Sequence, residues 1–187
     1  SLWDDGDVLP ETAVSWYVKN NYDFIAITEH DSLSNNEKWI PIEEGREDKL
    51  SIKKFEESKL FFNDSWMETR INFKLKNTIE VKLKTFDELK KHFENKNKFT
   101  LIKGEEITNV VDQKPFHVTA LNIEKLILPK VIPPEVNVNP SYVIQKNIDD
   151  IAQQGIDFNK PTLAVLNHPN MQRSISSDII SEIKKLK

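Results

Sequence analysis

Residues 24–30 read Phe24-Ile25-Ala26-Ile27-Thr28-Glu29-His30. A short apolar run bounded by polar residues, following an Asn20-Asn21 turn signal, has the pattern of a strand buried on both faces. Upstream, Pro10-Glu11-Thr12-Ala13-Val14-Ser15-Trp16-Tyr17-Val18 puts Pro at a first-turn position with Glu beside it. The apolar residues that follow cover one helical face, which predicts a helix over about 10–20. Downstream, Phe99-Thr100-Leu101-Ile102, Val118-Thr119-Ala120-Leu121 and Leu163-Ala164-Val165-Leu166 predict three further strands. A helix starting near Ser141 carries Val143, Ile144, Ile148 and Ile151 after the Pro133-Pro134 break. Short strands alternating with helices predict an α/β fold of parallel units, and no internal repeat competes with that reading.

Residues 32–98 differ in character, being rich in Lys, Glu and Asn, and read as an insertion. Within them Thr85-Phe86-Asp87-Glu88 resembles a capping box that opens a helix with Phe86, Leu89 and Phe93 on one face. Alternation over 71–76 and 79–84 predicts a hairpin around Lys76-Asn77-Thr78 with one solvated face. His92, among Lys and Glu on the predicted helix, reads as a solvated surface residue, and Trp3 and Trp16 as packing residues.

With 187 residues and 38% hydrophobic content the chain has enough apolar mass for one globular domain. A net charge of -4, with basic residues spread among acidic ones, disfavours nucleic acid as a partner. The absence of cysteine excludes disulfides, thiolate metal sites and cysteine nucleophiles. It suits a reducing cytosol or a cysteine-free exported protein equally well. No run approaches the roughly 20 apolar residues of a membrane helix, and Ser1-Leu2-Trp3-Asp4-Asp5 has no signal-peptide character. There is no initiator Met, and the helical pattern over 178–186 has no stop signal, so the expectation is a domain cut at both ends.

Four metal-competent side chains sit at strand ends: His30, Glu106 and His168 follow predicted strands, whereas His117 begins one. In a parallel β/α barrel the C-terminal strand ends form the active face, so His117 breaks the pattern. Imidazole nitrogen and carboxylate oxygen suit zinc, manganese or iron, and such ions turn water into a nucleophile near neutral pH.

Asp5-Gly6 with Pro10-Glu11, Thr28-Glu29-His30-Asp31, Gly104-Glu105-Glu106-Ile107-Thr108, His117 and Asn167-His168-Pro169 follow one another in the order found in the PHP (polymerase and histidinol phosphatase) superfamily. Over most of the chain outside 32–98 the sequence resembles that family, least over 123–160. The resemblance implies a distorted, TIM-like β/α barrel with up to three divalent metal ions, hydrolysing the phosphate ester of a small phosphorylated substrate through metal-activated water. It further implies that Asp5 and His30 share one metal and that Glu106 bridges towards a site completed by His117 and His168. Asp4 stands where the family has Ser, and Glu29 where it has Asp. By composition Glu105 or Glu106 could be the ligand. The family's Gly-x-Glu-Ile/Leu-Ser/Thr pattern selects Glu106, and neighbouring strand residues face opposite ways.

The family's His-x-His pair would fall just before Ser1 and its late Asp-x-His pair beyond Lys187, so the fragment alone is expected to be inactive. Lys103 and Arg173 are candidates for offsetting phosphoryl charge, with an ordinary surface cation as the alternative for each. Asp31 and Asn167 are expected to orient neighbouring His rings. The rival readings are a non-catalytic PHP-like module that binds metal or a partner, and a metal-dependent amidohydrolase. No Gly-x-Ser-x-Gly turn supports a Ser-His-Asp hydrolase.

Overall fold

In chain order, the computed structural model has α1 at Pro10–Lys19, β1 at Phe24–His30, β2 at Trp39–Pro41, α2 at Ile52–Lys59, β3 at Thr69–Asn72, a 3-10 turn at Phe73–Leu75, β4 at Thr78–Lys82 and α3 at Phe86–Glu94. It continues with β5 at Thr100–Val111, β6 at Lys114–Leu121, β7 at Val131–Ile132, α4 at Pro140–Asp157, β8 at Leu163–Leu166 and α5 at Ser177–Glu182. The structure describes residues 1–43, 50–63, 65–75, 77–94, 98–169, 175 and 177–183. The chain groups into two compact units, one of Ser1–Ile25 with Ser34–Leu101 and the other of Ala26–Leu33 with Ile102–Lys187.

The first unit contains an antiparallel sheet of order β2-β4-β3. Its β3-β4 hairpin pairs Ile71 with Ile79 and Arg70 with Glu80. The strands are shorter than their alternation predicts because Phe73–Leu75 coils into a 3-10 turn, and Asn77 (φ 59°) supplies the left-handed turn residue. Glu80 is buried, and Arg70 Nε at 2.7 Å and Asn72 Nδ2 at 2.9 Å donate to its two oxygens.

The capping box opens α3: the Thr85 N–H donates to Glu88 Oε2 at 2.8 Å, and the Glu88 N–H donates back to Thr85 Oγ1 at 3.3 Å. Phe86, Leu89 and Phe93 form its buried face. His92 is a correction to the surface expectation. Its ring is half-buried, 4.2 Å from Trp66 and 4.9 Å from Phe93, because an imidazole offers an apolar body to neighbouring rings as readily as a polar tip to water. Trp3 is buried, with Nε1 donating to Lys84 O at 3.0 Å. Trp16 is half-exposed and rests against Tyr17 and Tyr22.

In the second unit the sheet order is β1-β5-β6-β8, with β7 on β5. Strand β5 runs well past residue 102, because its true end is a hairpin at Asp112-Gln113, with Val111 opposite Lys114. Both turn residues take left-handed φ (50° and 59°), the two-residue geometry whose twist matches that of the strands it joins. Strand β6 is therefore antiparallel to β5, and β8 is antiparallel to β6. Beside β5, the Thr100 N–H donates to Asp23 O and the Asp31 N–H to Glu106 O, advancing in the same sense along both strands as a parallel pair does. The result is a mixed α/β arrangement, not a run of parallel units. Among the described residues the sheet does not close, so the TIM-like barrel expectation is not met there.

One face of this sheet is apolar. Ile107 and Val111 of β5 and Phe116, Val118 and Ala120 of β6 pack with Val143, Ile144 and Ile151 of α4 in one buried cluster. Each large apolar side chain contributes roughly 1.5–3 kcal/mol by leaving water. Helix α4 starts where Asn139 Oδ1 accepts the Ser141 N–H, with Pro140 in its first turn.

The register puts Glu106 opposite Thr119 and Thr108 opposite His117, so these four side chains share the other face. Close approach of three strands there depends on Gly104. A Cβ at that position would lie 2.5 Å from Ala120 O and 3.0 Å from Thr28 Cγ2, and a backbone oxygen cannot swing aside. Gly104→Ala is expected to cost about 1–3 kcal/mol, read as a fall in denaturant midpoint at unchanged slope. An unchanged midpoint would show that the strands can part without cost.

Candidate metal centre

Strand alternation alone aims Glu106 and Thr108 at the site and buries Glu105 beneath α4's side of the sheet. Glu105 is fully buried, its Oε1 accepts the Ile127 N–H at 2.7 Å, and burial pushes its carboxyl up to about 7. Glu106 instead meets two imidazoles: its Oε1 lies 3.6 Å from His117 Nδ1 and 3.6 Å from His168 Nε2. The two ring nitrogens are 3.1 Å apart.

His117 stands near the start of β6 and His168 just after the end of β8, yet antiparallel pairing brings both to one sheet edge. The Asn167 N–H donates to His117 O at 3.0 Å and continues the pairing past Val118 opposite Leu166. His168 then takes φ 23° immediately before Pro169. A residue preceding proline ordinarily stays extended, so this backbone is strained, and the turn presents its ring to Glu106.

His30, at the end of β1, joins from the other side. Its ring centroid is 4.9 Å from that of His117, and its Nδ1 is 2.8 Å from Thr108 Oγ1. Donor atoms of His30, Glu106 and His117 all lie within 4.8 Å of one another. Burial holds the His117 imidazolium pKa below its usual value, outweighing the Glu106 carboxylate that pulls it up, so the neutral, metal-ligating form is favoured.

The donor set fits a divalent ion. Bonds of about 2.0–2.1 Å around a tetrahedral ion separate donors by roughly 3.4 Å. The edges of the Glu106–His117–His168 triangle, 3.1, 3.6 and 3.6 Å, fall on either side of that spacing. Nitrogen and carboxylate oxygen together suit zinc, manganese or iron.

Asp5 belongs to the turn before α1 in the first unit. Lys103 is not brought to the cluster. It leaves β5 on the face opposite Glu106, with Nζ 3.9 Å from Glu124 Oε2. Arg173 lies outside the described residues.

The expected orienting groups are present with other partners. Asp31 Oδ1 accepts the Thr108 N–H at 2.9 Å, and Thr108 Oγ1 in turn lies 2.8 Å from His30 Nδ1. Asn167 Nδ2 donates to Glu106 Oε1 at 2.9 Å and Thr119 Oγ1 at 2.7 Å instead of to an imidazole. Thr108 and Thr119 were not singled out from the sequence. Their signal was the period of two from Glu106 and His117, which becomes usable only once β5 is known to extend to Val111. No family model matches the chain and no curated protein matches it.

Proposed function

We propose that this chain forms part of a metal-dependent phosphoesterase of the PHP type, its sheet being one section of a distorted β/α barrel. The observation that carries the reading is the Glu106–His117–His168 triangle, whose edges of 3.1–3.6 Å suit donors around one ion, with His30 beside it. A divalent ion held there supplies Lewis acidity towards a phosphoryl oxygen and lowers the pKa of water.

The chain's own groups do the rest. Glu106 contributes negative charge, burial disfavours the charged form of His117, and His168, with 40% of its side chain exposed, leaves the cluster open to solvent and to a substrate. A net charge of -4 suits a small phosphorylated substrate better than a long polyanion.

The test is metal content by mass spectrometry together with hydrolysis of p-nitrophenyl phosphate, comparing the full-length protein that carries this chain, as wild type, with its His168→Ala variant. Retained metal and hydrolysis in the wild type, both lost in the variant, are the expected result. A metal-loaded wild type that hydrolyses no phosphate ester would turn the assignment to a non-catalytic module, and hydrolysis of amides alone would turn it to an amidohydrolase.

A further inference from the structure

Resting on the metal site just proposed, we infer that Asn167 is a positioning residue that fixes which oxygen of Glu106 faces the ion. Glu106 Oε1 is the atom 3.6 Å from both imidazole nitrogens, and it is also the atom that accepts from Asn167 Nδ2 at 2.9 Å. A Glu side chain turns about three single bonds, so its carboxylate needs a second contact to stay on one axis. Asn167 provides it without occupying a ligand position.

The amide is itself held in one orientation. The second proton on Nδ2 goes to Thr119 Oγ1 at 2.7 Å, so both amide protons are engaged. Rotating the amide by half a turn would set Oδ1 against the Glu106 carboxylate, acceptor against acceptor. The backbone is anchored as well, since the Asn167 N–H donates to His117 O at 3.0 Å. One residue therefore ties a β5 carboxylate to β6 at two points, and its covalent neighbour is His168. Thr119, opposite Glu106 in the register, acts behind Asn167 as the group that orients the amide.

Substitution by Ala leaves the backbone anchor in place and removes only the amide, so loss of positioning separates from loss of fold. The experiment titrates Co2+ into the full chain and into Asn167→Ala, Thr119→Val and the double variant, following the visible absorption of the bound ion and the melting temperature of each metal-free protein. Asn167→Ala is expected to weaken Co2+ binding by roughly 10–100-fold and to change the absorption bands, while the metal-free melting temperature stays close to that of the wild type.

Thr119→Val should give a smaller loss in the same direction. Adding it to Asn167→Ala should cost nothing more, because the hydroxyl works through the amide. Unchanged affinity and bands in Asn167→Ala would overturn the positioning role and leave the metal site standing. An affinity loss matched by a fall in metal-free melting temperature, or a further additive loss in the double variant, would replace it with a structural role. A wild type that binds no Co2+ would overturn both the site and the inference.

Discussion

In the proposed phosphoesterase, Glu106→Ala is expected to abolish metal retention and reduce phosphate-ester hydrolysis by roughly a thousand-fold or more, since metal charge stabilisation is worth several kcal/mol and each 1.36 kcal/mol is tenfold in rate. Its Oε1 faces both His117 and His168 at 3.6 Å and also receives Asn167. Glu106→Gln removes the charge at nearly constant shape and should be almost as damaging.

The control is one residue away. Glu105 lies on the opposite face of β5 with its carboxylate on the Ile127 N–H, so Glu105→Gln should leave metal content unchanged. Parallel loss in the two positions would mean that the effect is on the fold and not on the site. Far-ultraviolet circular dichroism of each variant separates these outcomes.

Folding stability is expected to fall as pH rises from about 4.5 to about 7, and Glu11→Gln should remove a large share of that fall. Glu11 sits in the first turn of α1, fully buried, with Oε1 accepting Trp66 Nε1 at 3.2 Å and Oε2 without a hydrogen-bond partner among the described residues. Burial pushes its carboxyl from 4.5 up to about 7, against the opposing pull of its backbone hydrogen bond, Trp66 and Lys84.

Between those pH values the folded chain holds a proton that the unfolded chain has released, so stability decreases with rising pH. The contribution is fully present below 4.5 and lost once pH passes about 7. The shift corresponds to about 3 kcal/mol at most, at 1.36 kcal/mol per pKa unit. Urea unfolding of wild type and Glu11→Gln at pH 5 and pH 8 reads the difference. Glutamine keeps an acceptor for Trp66 and carries no charge, so its profile should be flatter; superimposable profiles would show that Glu11 ionises freely in the fold. Glu105, also pushed up to about 7, acts in the same direction and leaves a residual slope in the variant.

Local chemistry is what the sequence by itself determined. The Thr85–Glu88 capping box, the buried face of α3, the Pro10 start of α1 and β8 at Leu163–Leu166 all depend on residues close in the chain, whose propensities and periodicity are read directly. The choice of Glu106 over Glu105 for the side facing the histidines came from a resemblance together with a period of two, and the strand places the two carboxylates on opposite faces as that period requires.

Strand direction was decided only by tertiary structure. The Asp112-Gln113 turn has neither Gly nor Asn to mark it, so β5 read as four residues where it has twelve, and His117 stood at the wrong end of a strand assumed parallel. Because β6 runs antiparallel to β5 and β8, the start of β6 lies beside the end of β8, and His117 reaches His168 at 3.1 Å across 51 residues of chain. Periodicity fixes which way a side chain points from its own strand. It carries no information on which way the neighbouring strand runs, since hydrogen bonding between distant segments sets that, and here it assembled the cluster.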